Sequence, residues 1–130
     1  MLFADASALI AIIAGEADAD ALADALESDG GRLCSAVAVW ESVAGLGQSY
    51  SLAVPTAREQ VARFLREGGF QLVGIGEREL RLAIDAHARY GKGRHPAALN
   101  MGDCYAYACA KANNAKLLYK GEDFSRTDLA

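Results

Sequence analysis

Short apolar segments alternate with helix-forming segments along this chain of 130 residues, and this alternation limits its fold more than any other feature. Four short apolar segments predict strands at residues 2–4, 32–35, 70–75 and 115–119. At least one segment with helical spacing separates each strand from the next. Strands joined through helices form a parallel sheet with right-handed crossovers and helices on both faces. We therefore expect an α/β fold.

Start and stop signals mark several of the helical segments. Ser35 has an N-cap side chain, Pro55 stands where a first helical turn tolerates proline, and a glycine pair follows at residues 68–69. In a later segment Ile84 and His87 share a helical stripe, which predicts that His87 is partly buried. The predicted helices cover residues 7–13, 16–28, 37–51, 55–68, 77–90 and 102–113.

Composition indicates an ordinary globular protein with one domain over residues 1–130. The chain has 52% apolar and 23% charged residues. Its formal net charge of −4 argues against a basic surface that coats phosphates. The charge does not exclude a nuclease, because the excess acids can lie in a metal site.

The cysteines and the first residues bear on where the protein works. Cys34, Cys104 and Cys109 stand in apolar runs without a metal-ligand spacing, which predicts buried thiols and, by default, a cytoplasmic protein. No basic residue precedes the apolar run in residues 1–15, so we expect no signal peptide there. No segment reaches the length needed to span a bilayer.

Four carboxylates stand at strand ends or inside apolar segments: Asp5, Glu41, Asp103 and Asp123. Asp5 and Asp103 also suit the starts of helices, and Asp123 suits a turn, so a purely structural role stays open for each. Glu41 is more telling, because the helix around it offers little solvated surface. Ligands of parallel α/β sheets bind beyond the carboxyl ends of the strands, where Asp5 and Asp123 are expected.

Several carboxylates in one pocket require a cation. Two of them about 5 Å apart repel by ~3 kcal/mol at an effective dielectric near 20. Oxygen ligands of this kind suit Mg²⁺ or Mn²⁺ rather than zinc. Such an ion lowers the pKa of bound water and neutralises charge on a phosphoryl group, so hydrolysis of a phosphodiester needs no protein nucleophile.

One compact cluster of bases stands in the loop at residues 91–96. Lys92, Arg94 and His95 lie between glycines that allow the backbone to approach a ligand, so we expect them to hold backbone phosphates. The alternative is a flexible, solvated loop without a binding role.

Four motifs spread along nearly the whole chain, together with Glu41 inside the third predicted helix, resemble features of the PIN-domain ribonucleases, and within them the VapC-type toxins. The third and fourth are the most specific. They are Phe-Ala-Asp5-Ala-Ser7-Ala-Leu, Tyr90-Gly-Lys-Gly-Arg-His-Pro96, Leu99-Asn-Met-Gly-Asp103-Cys-Tyr-Ala-Tyr-Ala, and Leu117-Leu-Tyr-Lys-Gly-Glu-Asp123-Phe-Ser-Arg-Thr-Asp128.

The resemblance implies a three-layer α/β/α sandwich with a central parallel sheet of four to five strands. After Asp128 little sequence remains for a fifth strand, which is either minimal here or closed by a partner. By resemblance Asp5 and Asp103 are the surest metal ligands, Glu41 and Asp123 complete the catalytic quartet, and Ser7 orients a water.

The resemblance also implies a Mg²⁺- or Mn²⁺-dependent endoribonuclease that acts as the toxin of a type II toxin–antitoxin pair. Its expected partners are RNA, a VapB-type antitoxin and a second copy of itself, in a homodimer and a toxin–antitoxin hetero-oligomer, with no membrane. Two alternatives stay open: a degenerate module that only binds its antitoxin and supports repression, and a receiver- or phosphatase-like domain with an acidic Mg²⁺ pocket.

Overall fold

The computed structural model describes residues 1–130 as four strands and six helices. Their order along the chain is β1 (Leu2–Ala4), α1 (Ala6–Ala14), α2 (Ala19–Glu27), β2 (Arg32–Ser35), α3 (Ala36–Tyr50), α4 (Val54–Glu67), β3 (Gln71–Val73), α5 (Glu77–Tyr90), α6 (Met101–Ala112) and β4 (Lys116–Leu118).

The four strands form one parallel sheet in the order β3-β2-β1-β4. In this register Phe3 of β1 lies between Leu33 of β2 and Leu117 of β4. Because every strand runs the same way, the carboxyl ends of β1, β2 and β4 meet at one edge of the sheet. The predicted α/β/α architecture is confirmed, with four strands.

The main core lies around β1 and α6. Phe3 and Ala4 are fully buried in the central strand, and α6 turns small side chains such as Ala108 and Ala110 into the interior. Small residues let the helix approach the sheet closely. The first turn of α6 is thereby brought to the edge where β1 ends.

Most helix and strand positions agree with the sequence analysis within a few residues. Ser35 caps α3 by accepting a hydrogen bond from the Ala38 amide at 3.2 Å, and Pro55 lies in the first turn of α4, as predicted. The second helix starts later than expected, at Ala19 rather than residue 16, because residues 16–18 form a turn. The third strand is shorter than the predicted 70–75.

The buried face of α5 differs from the predicted one. Ala83, Ala86 and Tyr90 are buried, whereas Ile84 and His87 are exposed. The predicted partly buried His87 is therefore wrong. Small alanines point inward because α5 packs closely on α6, and Leu80 and Ile84 are left exposed.

The three cysteines are buried free thiols, as predicted. No helix of the protein is long and apolar enough to cross a bilayer. The cytoplasmic location stays a prediction.

We predict that the last ten residues are part of the fold rather than an appendage. Phe124 is 1% exposed and packs against the ring of Tyr119, so Phe124→Ala should lower the free energy of unfolding by about 3 kcal/mol or more. Leu72→Ala, on the exposed face of β3, is the control and should cost less than about 1 kcal/mol. Equal losses in urea unfolding would contradict this packing.

Candidate acidic active site

Asp5 follows β1 directly, and its side chain is buried at the amino end of α1. Its Oδ2 accepts hydrogen bonds from the Ser7 amide at 3.1 Å and from the Ser7 hydroxyl at 2.6 Å. The Ser7 oxygen accepts in turn from the Lys120 amide at 3.0 Å. Asp5 is therefore the N-cap of α1, and Ser7 donates to it rather than replacing it as the cap.

Asp103 lies in the first turn of α6 and forms a capping box with Asn100. The Asp103 carboxylate accepts from the Asn100 amide at 3.0 Å, and the Asp103 amide donates to the Asn100 side chain at 2.9 Å. Asp103 therefore has the structural role that the start of a helix predicts. The capping box fixes its carboxylate at the amino end of α6, where negative charge is favoured.

Glu41 reaches from α3 to the first turn of α6. A Cβ atom added to Gly102 would lie 1.8 Å from Oε2 of Glu41, so the glycine leaves the space that this carboxylate occupies. Glu41 is half-buried, accepts no hydrogen bond from the protein and forms no ion pair. The structure thus places the Glu41 carboxylate beside Gly102, the residue before Asp103, and its functional role stays a prediction.

Asp123 lies in the segment after β4 and is exposed. Gly121, with φ +94°, turns the chain there, and buried Phe124 anchors the other side. The negative charge of Asp123 contributes to raising the pKa values of Asp5 and Asp103. It therefore lies within electrostatic range of both. We call Asp5, Glu41, Asp103 and Asp123 the acidic cluster.

Burial and mutual repulsion raise the pKa values of three members of the cluster. Desolvation raises the pKa of Glu41 to about 7, and the charges of Asp5 and Asp103 add to the effect. Desolvation likewise raises the pKa of Asp103 to about 6, against the hydrogen bond from Asn100. The pKa of Asp5 rises because it is buried, although the hydrogen bonds from Ser7 oppose the rise. Each ionised form lacks a compensating positive charge.

The donor chemistry of the cluster fits a hard divalent cation. All four groups are carboxylates, and none pairs with a lysine or an arginine. No three acidic, histidine or cysteine side chains lie close enough together to form a ready-made cage. Mg²⁺ does not need one, because it commonly binds through one or two carboxylates and keeps several waters. The residues present therefore suit Mg²⁺ or Mn²⁺ in a partly hydrated state.

The loop at residues 91–96 is ordered by its own hydrogen bonds. The Lys92 amide donates to Leu99 at 3.0 Å, and the Arg94 and His95 amides both donate to the Gly91 carbonyl. His95 packs edge-on against the ring of Tyr90, so its imidazole has a structural use. Lys92 and Arg94 are exposed. None of the three bases contacts the acidic cluster, and their phosphate-binding role stays a prediction.

Two residues at the site escaped the sequence analysis. Asn100 and Asp103 have the spacing of a capping box, which is readable in the sequence. Gly102 is a helix-weakening residue inside a helical segment, which often marks a close approach. Neither signal names Glu41 as the neighbour, because that contact joins residues about sixty positions apart.

We predict that the cation-free protein loses stability as the pH rises from about 5 to 7.5. The pKa values of about 7 for Glu41 and about 6 for Asp103 exceed the ordinary values that these groups have in the unfolded chain. The folded state therefore binds more protons in this interval, and the free energy of unfolding falls with pH. The unfolding temperature should drop by roughly 5 °C.

Glu41→Gln should flatten this decline, whereas Glu27→Gln, at an exposed position on α2, should leave it unchanged. Calorimetric unfolding in the presence of a chelator measures the effect. Parallel pH profiles for wild type and Glu41→Gln would show that Glu41 does not carry an unpaired charge in the folded state.

Comparison with known proteins agrees with the fold and the motifs. Residues 2–129 match the PIN domain family. A VapC ribonuclease of Rhizobium meliloti strain 1021 is 40% identical over 99% of each chain. Two solved structures share the fold: Mycobacterium tuberculosis VapC20, a sarcin–ricin loop cleaving toxin, and a toxin–antitoxin complex from Klebsiella pneumoniae.

Mycobacterium tuberculosis VapC20 has a TM-score of 0.73 at 17% identity, and the match covers 96% of this chain and 93% of the other. The complex from Klebsiella pneumoniae has a TM-score of 0.70 at 18% identity, and the match covers 99% of this chain and 94% of the other. The resemblance stated from the motifs is confirmed: the chain belongs to the PIN-domain family, among its VapC-type members.

Proposed function

We propose that this protein is a Mg²⁺- or Mn²⁺-dependent endoribonuclease that acts as the toxin of a type II toxin–antitoxin module. The observation that carries the proposal is the acidic cluster: four carboxylates within electrostatic range at one edge of the sheet, with no cationic partner. The identity of 40% to a VapC ribonuclease supports the same activity.

Asp5 and Asp103 would hold the cation, with Glu41 and Asp123 completing the set. Both aspartates are fixed by helix-capping hydrogen bonds, so their carboxylates are positioned before any ion arrives. The cation would supply positive charge for the phosphate and lower the pKa of a water molecule. Glu41 has no hydrogen-bond partner in the protein, which leaves its carboxylate free to accept one from water.

The rest of the proposed site concerns RNA. We assign Lys92 and Arg94 to backbone phosphates, because both side chains are exposed on an ordered loop. We also assign His95 to the RNA, although its imidazole packs against the Tyr90 ring. The Ser7 hydroxyl already bridges Asp5 and the Lys120 amide, so a water-orienting role would use its remaining lone pair.

We also propose a VapB-type antitoxin as partner and a homodimer, alone and within the toxin–antitoxin hetero-oligomer. Family membership and the likeness to the fold of a toxin–antitoxin complex support the antitoxin. Exposed apolar side chains, among them Trp40 at 72% and Met101 at 69% exposure, indicate surface that suits protein contacts. Light scattering of the isolated toxin tests the dimer, which should have twice the mass of one chain.

The two alternatives are less favoured. A degenerate antitoxin-binding module has no need to keep four uncompensated acids at a cost in stability. A receiver- or phosphatase-like domain would need a further acid beside β1, where Ala6 follows Asp5. Calorimetric titration with Mn²⁺ separates the degenerate module from the enzyme, because the former should bind none.

We predict that Asp103→Asn abolishes divalent-dependent RNA cleavage and leaves the fold intact. An asparagine oxygen still accepts the hydrogen bond from the Asn100 amide, so the helix cap survives while the charge is lost. Cleavage of labelled RNA with Mn²⁺, and with a chelator as blank, measures the effect. Asp24→Asn, at an exposed position on α2, should cleave like wild type. Undiminished cleavage by Asp103→Asn would sink the assignment.

We predict that Gly102→Ala separates activity from stability. The new Cβ would occupy the place of the Glu41 carboxylate, whose flexible side chain is able to move, so RNA cleavage should fall by about 10-fold or more. Alanine also favours a helix over glycine by up to about 1 kcal/mol, so the free energy of unfolding should not drop. Gly47→Ala in α3 is the matched control, because only the Leu52 carbonyl lies nearby, at 3.4 Å. Normal cleavage by Gly102→Ala would remove Glu41 from the mechanism.

A further inference from the structure

A second charged group lies next to the acidic cluster and has no role in the function proposed above. The ammonium of Lys120 pairs with Glu16 and, at 3.4 Å, with Asp18. The Tyr50 hydroxyl donates a hydrogen bond to Glu16. We call these four residues the Lys120 network.

The Lys120 network connects the three segments that carry Asp5, Glu41 and Asp123. Its two acids lie in the connection after α1, the helix that Asp5 caps. Tyr50 is the last residue of α3, the helix that carries Glu41. Lys120 itself stands three residues before Asp123. One partly exposed ion-pair network thus joins elements that are far apart in sequence.

The backbone of Lys120 also reaches the cluster directly. Its amide donates to the Ser7 oxygen at 3.0 Å, and the Ser7 hydroxyl donates to Oδ2 of Asp5 at 2.6 Å. A hydroxyl has one proton, and the amide from Lys120 leaves that proton free to point at Asp5. The position of the Lys120 backbone therefore affects the hydrogen bond that favours the ionised form of Asp5.

The segment that follows Lys120 has few anchors before Glu122, whose carbonyl accepts hydrogen bonds from the Ser125 amide at 3.1 Å and from the Ser125 hydroxyl at 2.6 Å. Gly121 adopts a left-handed conformation, and Glu122 and Asp123 are exposed. The next buried side chain is Phe124. Asp123 is consequently held between two fixed points, the Lys120 network before it and Phe124 after it.

We propose that Lys120 is a positioning residue of the acidic cluster: its ion pairs fix the 120–123 segment and, through Ser7, Asp5, in the arrangement that holds a divalent cation. The inference rests on the proposed function, because the cation is the one assigned to that site. Exposed ion pairs contribute little to folding stability. The effect of losing Lys120 should therefore fall on the cluster rather than on global unfolding.

Lys120→Met tests the proposal, with Lys116→Met as matched control. Both lysines are exposed, Lys116 in β4 and Lys120 shortly after it, and each substitution removes one positive charge. Of the two, only Lys120 forms ion pairs. In the cation-free protein, the amide of residue 120, which donates to the Ser7 oxygen, should exchange its hydrogen about 10-fold faster in Lys120→Met and at an unchanged rate in the control. Calorimetry should show about 10-fold weaker Mn²⁺ binding for Lys120→Met alone. Lys120→Arg, which keeps the ion pairs, should restore both.

Three other results would contradict the positioning role of Lys120 or the proposed cation site. Unchanged hydrogen exchange in Lys120→Met overturns the positioning role, whether or not Mn²⁺ binds. Weaker RNA binding with unchanged exchange and Mn²⁺ affinity would make Lys120 a phosphate contact instead, which also overturns it. If the wild type binds no Mn²⁺, the proposed function fails and the cation part of the inference with it. The exchange data then still decide whether Lys120 orders the segment.

Discussion

Repulsion between carboxylates that are kept partly out of water is the interaction on which the account depends. Parallel strands bring their carboxyl ends to one edge, and Asp5 and Asp103 are held there by hydrogen bonds that also start helices. Glu41 joins them from α3, against the glycine of α6. No lysine or arginine neutralises the group. The fold thus maintains a local excess of negative charge that a divalent cation would relieve.

Structural and functional uses of the same side chain coincide at this site. Asp5 caps α1 and Asp103 completes a capping box, which would suffice to explain each residue alone. A cap also fixes a carboxylate in direction and restricts its rotamers. That fixation is what a binding site needs, because an ion gains little from ligands that must first be ordered. A capping role is therefore no evidence against a role as ligand.

Much of the fold was predictable because local signals and packing agree. The alternation of strands and helices, the Ser35 cap and the small side chains of α6 all point to the parallel sheet that the structure contains. The exposed face of α5 was not predictable, since periodicity identifies an apolar stripe without telling which helix covers it. His87 was misplaced for that reason.

The candidate site was predictable in its residues but not in its geometry. Strand ends, the late motifs and, for Glu41, an apolar helix single out the four acids. Contacts between distant residues, such as Glu41 with Gly102 and Lys120 with Glu16, have no local signature.

The most direct test of the central claim is a calorimetric titration of the cation-free protein with Mn²⁺ near pH 6.5, repeated in two buffers of different ionisation enthalpy. We expect saturable binding accompanied by proton release, because carboxyl groups with pKa values of about 6 and about 7 must ionise to bind the ion. No saturable heat, or the same binding isotherm and proton release in a variant with both Asp5→Asn and Asp103→Asn, would contradict it.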